Sequence, residues 1–284
     1  MSRSRILVTG ATGNTGGAII ARLDAAGIKA RAFVRDPAKA AHLASPNIEV
    51  VAGDLGDKAS LVAAMRGIHA VYLNVVPGPQ ALAYVDNVIA AAKEAGVSHI
   101  VKLSGMNASP QSRSAIIRLH AEGDRRVMES GLTCTILRAN SFFQNLLSQM
   151  QSIRAEGRFY LPLGQAHQSL VDVADIAAVA VTRLLDENAT SGTFDITGPQ
   201  SLTFREVAGE LGKALGRDVD YVPISNEAFR DYLLGVGLPK AAAENVAELF
   251  DVFADGSYAG VSDDFERVVG RPPRPYAAFA AELA

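Results

Sequence analysis

Short runs of apolar residues recur along the first half of the chain, and each is followed by a longer stretch with helical spacing. Ile6–Val8, Ala30–Val34, Ile48–Val51, Ala70–Leu73, His99–Leu103 and Cys134–Leu137 read as strands. They are near-continuous apolar runs rather than alternating ones, the pattern of strands covered on both faces. Between them lie helix-length segments such as Gly16–Ala26, Asp57–Arg66, Pro79–Ala95 and Ser112–Ser130. Alternation of this kind implies right-handed crossovers and a parallel sheet. After about residue 140 the rhythm changes. Phe142–Glu156 reads as a helix, Arg158–Leu163 and Gln168–Val171 as extended pieces, and Ile176–Leu185 as a helix. Phe194–Thr197 and Val219–Val222 read as strands. Thr203-Phe-Arg-Glu206 is a capping-box pattern opening a helix to Leu215. The tail from Ser225 reads as mainly helical, broken at Pro272-Pro273-Arg274-Pro275. The expected architecture is α/β: a Rossmann-type doubly wound parallel sheet over 1–140 with a small C-terminal α+β substrate lobe over 141–284. A return of the chain to the sheet is left open within 168–200.

Composition narrows the function classes. The chain has 284 residues, 49% hydrophobic and 20% charged, enough to bury a full core. Its net charge is −3, which argues against nucleic acid or an acidic membrane surface as partner. Cys134 is the single cysteine and sits in an apolar run, so it reads as a small buried hydrophobe. With no CxxC and no Cys/His cluster, no metal site is expected. Met1–Arg5 leads straight into Ile6-Leu7-Val8, too short a run for a signal segment, and no apolar stretch reaches the roughly 20 residues of a membrane span. The reading is a cytoplasmic protein, monomer or homodimer.

The strongest chemical signal is Gly10-Ala11-Thr12-Gly13-Asn14-Thr15-Gly16, between the strand Arg5–Thr9 and a helix. This is the context of a dinucleotide fingerprint. Gly10 permits the tight turn, Gly13 lets backbone N–H groups approach a pyrophosphate, and Gly16 lets helix and strand pack closely. The spacing GxxGxxG points to the short-chain dehydrogenase branch of such folds. Arg35 ends the second strand, where a basic group suits the 2′-phosphate of NADP, and Lys39 adds a second charge. The adjoining Asp36 keeps NAD(H) open as an alternative to NADP(H). Asp54 and Leu55 follow the third strand, where they would flank the adenine; a helix cap is the other reading for Asp54, although Asp57 is the better cap. Asn74, Val75 and Val76 follow the fourth strand, where the chain must skirt the cofactor or simply turn.

These residues together resemble the NmrA-like family of atypical short-chain dehydrogenases. The resemblance continues through His120-Ala-Glu-Gly-Asp124, Ser130-Gly-Leu-Thr-Cys-Thr-Ile-Leu-Arg-Ala-Asn140, Asp172-Val-Ala-Asp-Ile176 and Phe194-Asp-Ile-Thr-Gly-Pro199. It implies a Rossmann fold with a small substrate lobe. It also implies one of several activities: NAD(P)H:quinone, triphenylmethane-dye or azo-dye reduction, reduction of plant benzylic ethers or isoflavones, or dinucleotide sensing without turnover. Fold alone does not choose among them.

Nowhere in the chain does a Lys follow a Tyr by four residues, so the usual dehydrogenase dyad is absent, and Ser112–Ser130 contains neither residue. A quinone or similar conjugated acceptor needs less, because its reduced anion is stable and water can supply the proton. His120 is then the candidate supporting acid or orienting donor, with Asp124 one turn on as its expected partner. The alternative is a structural histidine. Ser104, at the end of the fifth strand, falls where a substrate-orienting hydroxyl is expected near the cofactor, or it caps a loop. Met106, Asn107, Asn140, Phe142, Phe143 and Asn145 have the address of an acceptor pocket beyond the strand ends, although core is the commoner fate for the phenylalanines. Phe159 and Tyr160 stand between pocket wall and core in the same way. Asp172 and Asp175 read as caps for the next helix. The leading reading is an NADPH-dependent reductase of a small apolar or aromatic acceptor; the alternative is a redox sensor acting on a protein partner.

Overall fold

The computed structural model describes residues 6–284; the expected strand residue Arg5 and the Met1–Arg5 lead lie outside the described residues. In chain order the first elements are β1 (Ile6–Thr9), α1 (Asn14–Ala25), β2 (Ala30–Val34), β3 (Ile48–Ala52), α2 (Lys58–Met65), β4 (Ala70–Leu73), α3 (Ala81–Ala95), β5 (His99–Gly105), α4 (Ala115–Met128) and β6 (Thr133–Ala139). There follow α5 (Met150–Glu156), β7 (Arg158–Leu161), β8 (His167–Gln168), α6 (Val173–Leu185), β9 (Gly192–Ile196), β10 (Leu202–Thr203), α7 (Phe204–Leu215) and β11 (Asp220–Pro223). Helices α8 (Asn226–Gly235), α9 (Lys240–Phe253), α10 (Asp264–Val269) and α11 (Tyr276–Ala280) complete the chain.

Seven strands form one sheet in the order β3-β2-β1-β4-β5-β6-β9. The pairs β1–β2, β2–β3, β1–β4 and β4–β5 are parallel. The order reverses between β1 and β4, and that reversal opens a crevice at the carboxyl ends of the strands. The apolar runs explain the sheet. Leu7, Val71, Ile100 and Ile136 are wholly buried, and each such side chain contributes roughly 1.5–3 kcal/mol on leaving water. They pack with Leu61, Met65, Val85 and Val88 of α2 and α3 in one core cluster. Helices α1 and α6 pack on each other.

The described residues divide into two compact units. One comprises 6–105, Leu119–Arg138 and Val173–Phe194; the other comprises Met106–Arg118, Ala139–Asp172 and Asp195–Ala284. Residues 106–118, expected with the first domain, belong to the second unit. That unit has its own core, where Phe159, Phe204 and Tyr221 pack together and Phe143 meets Tyr276 edge to face. Strands β11 and β7 pair in parallel, and β10 pairs antiparallel with β8. Thr203 and Glu206 form the expected capping box at α7.

Two expected helices differ from those observed. Phe142–Glu156 is not one α-helix: Phe143–Gln149 is a 3₁₀ segment, and only Met150–Glu156 is α-helical. Here the Ser148 hydroxyl donates to the Asn145 carbonyl, and Phe142 is extended and bridges to Val171. Polar side chains that bond nearby backbone compete with the α-helical pattern. The helix expected from Ser112 begins at Ala115, because the Ser112 hydroxyl accepts from Ser114 N and Arg118 donates to the Ser112 and Arg113 carbonyls. Among the described residues no helix is long and apolar enough to cross a membrane.

His99 opens β5 with its ring buried and Nε2 3.0 Å from Thr135 Oγ1, while Nδ1 has no partner. Burial, and then the positive charge of Arg183, push its pKa from 6.5 to about 4. The unfolded chain therefore binds this proton more readily, and stability is complete above pH 6.5 and lost as pH falls toward 4. Thermal midpoints should hold steady from pH 8 to 6.5 and then decline, and His99→Gln should flatten that decline by roughly 3 kcal/mol of unfolding free energy. An unchanged profile in the variant would contradict this assignment.

Candidate active site

The glycine turn joins β1 to α1 with almost no spare volume. Gly10 has φ +61°, and its carbonyl accepts from Gly13 N at 2.9 Å. A Cβ on Gly16 would collide with the Gly10 carbonyl, so the backbones of turn and helix touch there. Gly13 stands at the N-cap of the twelve-residue α1 without a side-chain cap, and the first turn carries no acidic residue. Its leading N–H groups have the character of an anion cradle. Ala11 is buried under the turn, whereas Thr12, Gly13 and Asn14 are exposed. Thr15 is buried, and its hydroxyl accepts from Asn74 Nδ2 at 3.3 Å.

That bond ties the end of β4 to the turn. The Thr9 hydroxyl donates to the Tyr72 carbonyl and accepts from Asn74 N, both at 3.0 Å, so β1 and β4 stay in register up to their last residues. The Asn74 side chain lies over Gly10. Val75 packs partly into the core, and Val76 is 82% exposed.

At the end of β2, Arg35 and Asp36 are both exposed, yet their roles separate. Asp36 Oδ1 accepts from Ala38 N at 3.1 Å and from Lys39 N at 3.4 Å, and its carboxylate lies 3.7 Å from Lys39 Nζ. The acidic group is thus committed to its own turn, and Lys39 leans toward it. Arg35 is left as the open charge at this strand end. Beyond β3, Asp54 Oδ1 accepts from Gly56 N at 2.7 Å, Asp57 caps α2 through Ala59 N, and the Leu55 carbonyl accepts from Asn87 Nδ2. Asp57 is therefore the cap, and Asp54 shapes the loop before it.

On the other side of β4 the structure assembles a polar cluster that sequence reasoning missed. Lys102 interrupts the apolar run of β5, and its side chain is only 4% exposed. Its Nζ donates to Asp124 Oδ1 at 2.8 Å and to the Leu103 carbonyl at 3.3 Å. Arg138 Nε donates to the other oxygen of Asp124 at 3.2 Å. A Cβ on Gly123 would lie 3.1 Å from Lys102 Cε, so the glycine makes room for the lysine stem. A mid-helix glycine costs about 1 kcal/mol against alanine, and here that cost accommodates a buried cation. Burial lowers the Lys102 pKa, and Asp124 opposes the shift. The signal available in the sequence was a lysine inside a strand that otherwise reads as buried.

This cluster corrects the role expected of Asp124, which pairs with Lys102 and Arg138 and not with His120. Among the described residues the His120 side chain makes no hydrogen bond. Its ring lies against Gly105, whose Cβ would be 3.1 Å from His120 Cδ2. Burial first, and then the charge of Lys102, push its pKa from 6.5 to about 4. At neutral pH it is an uncharged imidazole, able to donate or accept a hydrogen bond but not a standing acid. Lys102, His120, Val75, Pro77, Ala81, Leu82, Val85, Leu119 and Gly123 line a small concavity. Ser104, two residues along β5 from Lys102, is buried, and its Oγ has no partner.

The residues expected to line an acceptor pocket beyond β5 and β6 have other engagements in the second unit. Asn140 is 1% exposed; its Nδ2 donates to Ser169 Oγ at 2.8 Å and the Tyr258 carbonyl at 2.9 Å, and its Oδ1 accepts from Ser141 N. Phe143 and Phe159 are core, Phe142 is half-buried, and the Tyr160 hydroxyl donates to Glu156. Met106 packs with Ile117, Val252 and Tyr258. Asn107, at φ +57°, donates to the Ser257 carbonyl, and Asn145 is exposed and donates to Ser141. Asp172 accepts from Gln144 and Arg274, beyond any capping role, and Asp175 lies in the first turn of α6. Tyr258, absent from the expected set, is buried and donates to the Met106 carbonyl.

A model of the NmrA-like family matches residues 2–271. The NAD(P)H azoreductase of Xenophilus azovorans is 39% identical over 275 residues, covering 97% of this chain and 96% of that protein. The crystal structure of the NADPH-dependent quinone oxidoreductase QOR2 of Escherichia coli, complexed with NADPH, superposes with a TM-score of 0.88 at 30% identity, covering 98% of this chain and 99% of that one. The Citrobacter sp. triphenylmethane reductase complexed with NADP(H) superposes at 0.83 with 27% identity, over 98% of this chain and 99% of that one.

The glycine turn yields a contrast between neighbours. Gly16→Ala should weaken dinucleotide binding at least tenfold, because turn and helix must part. Gly17→Ala, whose Cβ would sit 3.5 Å from the Ala11 carbonyl, should leave binding unchanged and raise helix stability by about 1 kcal/mol. Calorimetric titration of both variants with NADP checks this; equal binding would refute the close-packing argument.

Proposed function

The chain belongs to the NmrA-like family, and we propose that within it this protein is an NADPH-dependent reductase of quinones or similar conjugated acceptors. One observation carries the reading: an uncapped helix N-terminus behind a glycine turn, tied through Asn74 to β4, whose next residue, Val75, lines an apolar concavity with a polar base. A side chain at Gly16 would force the helix away from the turn, and none is there. The residues present therefore fit a dinucleotide. The azoreductase, quinone oxidoreductase and triphenylmethane reductase relatives support the same class of reaction.

When bound, a reduced nicotinamide supplies a hydride. The chain's own residues do the rest by position. Asn14 and Thr15 at the start of α1 present N–H groups to the phosphates, while the Gly13 N–H stays with the Gly10 carbonyl. Arg35 offers its planar fork to the 2′-phosphate, while Asp36 stays with its own turn. Asp54 and Leu55 flank the adenine end, and Asn74, Val75 and Val76 hold the chain against the cofactor at the other. The unpartnered Ser104 hydroxyl is available to orient the nicotinamide side, and neutral His120 is available as a hydrogen-bond donor at the pocket. Val75, Leu82, Val85 and Leu119 give the small concavity beside this strand end apolar walls. Water supplies the final proton, so no charged acid is required.

The decisive test is NADPH oxidation with a panel of quinones and azo dyes. Turnover with at least one acceptor is expected. Tight dinucleotide binding without turnover on any of them would replace the reductase with a dinucleotide sensor. Arg35→Ser should raise KM for NADPH by roughly 10- to 100-fold, the loss of a charge-assisted phosphate contact, and leave KM for NADH within about twofold. A parallel loss with both cofactors would remove Arg35 from phosphate recognition.

A further inference from the structure

Lys102 is a costly residue that the sheet does not require. It lies among apolar strand residues, paired with Asp124 and given room by Gly123. An ammonium has three N–H donors and no acceptor. Asp124 and the Leu103 carbonyl take two of them, and among the described residues nothing takes the third. Beside the side chain lies the small concavity whose wall carries Lys102, His120 and apolar residues such as Val75, Val85 and Leu119. All of these residues belong to the same compact unit. The concavity has room for about one water molecule. Its ionisable groups are Lys102 and His120, and the rest of its wall is apolar side chains and Gly123. A water is held in such a space where two or more polar groups converge on it. The ring of His120 has no protein partner among the described residues and is uncharged at neutral pH, so one of its nitrogens donates and the other accepts.

We propose that this concavity holds one fixed water between Lys102 and His120, and that Lys102 thereby selects the tautomer of His120. The direction of the hydrogen bonds follows from the donors. Lys102 can only donate, so the water accepts from it and has its own O–H groups left to give. The water donates to the ring nitrogen that faces it, which is therefore the nitrogen without a proton. The other ring nitrogen carries the N–H. Asp124 anchors the chain, since its carboxylate favours the charged form of Lys102 and fixes the orientation of the ammonium. A hydrogen-bond chain that starts from a charged donor is stronger than a neutral one, and it favours this tautomer about tenfold. Lys102 is a positioning residue, and the group it positions is the His120 N–H. The service of that N–H to a reduced acceptor rests on the reductase reading; the water and the tautomer do not.

The tautomer is read from the ring-nitrogen chemical shifts of protein labelled with heavy nitrogen in its histidines, at neutral pH, with the His120 signals assigned by their loss in His120→Gln. The wild-type ring should be uncharged and favour one tautomer about tenfold. A high-resolution crystal structure should show a water about 3 Å from Lys102 Nζ and from the unprotonated nitrogen of His120. The double variant Lys102→Met with Asp124→Asn keeps the length of the side chain, removes the donor and leaves no lone buried carboxylate. It should shift the tautomer ratio about tenfold toward the other form. Its thermal midpoint confirms that it is folded. A concavity without that water, a charged or unbiased wild-type ring, or a folded double variant that keeps the wild-type ratio overturns the assignment. The quinone panel is read separately. The water and the single tautomer without turnover leave the Lys102 assignment standing and remove the reductase; turnover with an unbiased ring does the reverse. If both hold, the double variant should lose about tenfold in kcat with a smaller change in KM for NADPH.

Discussion

A backbone carbonyl packed where a side chain would otherwise stand governs this fold. The Gly10 carbonyl meets the face of α1 at Gly16, and that contact sets the approach of the helix to β1. The start of that helix carries no side-chain cap and no acidic residue. The crevice at the reversal of strand order becomes an anion cradle as a result. The Thr9–Tyr72–Asn74 hydrogen bonds and the Asn74–Thr15 bond then lock β4 beside the turn.

The same economy recurs one strand further on. A lysine inside a buried strand is unfavourable unless its charge is paired and its stem is given space. Helix α4 supplies both from adjacent residues, Gly123 and Asp124. The motif His120-Ala-Glu-Gly-Asp124 is therefore the helical half of a lysine site, where a Tyr and Lys dyad would be sought and is missing. His120 is a consequence of that site as well as a member of it, since burial and the Lys102 charge together keep its ring neutral.

The second unit shows how packing reassigns residues that look chemical in the sequence. Asn140 has an amide on the expected side of a strand end, yet every polar atom of that amide is bonded within the unit. Phe143 is held between Tyr276 and Phe279, which come from the last helix of the chain. No local pattern around residue 143 announces partners more than a hundred positions away.

The sequence by itself determined the parallel sheet, the glycine turn, the alternation of strands and helices and the capping box at Thr203. All of these are local: a period, a run length or a turn that only glycine accepts. It also placed Arg35 and Asp36 at one strand end without separating them, because adjacent residues share an address. Only the tertiary structure committed Asp36 to the Ala38 and Lys39 amides and left Arg35 open. Only the tertiary structure moved Asp124 from His120, four residues away on the same helix, to Lys102 on β5 and Arg138 on β6. Helical spacing names the neighbours a side chain can have on its own element. Which charge it pairs with is decided by the strands packed beneath it, and by how little water remains there to shield a lysine left alone.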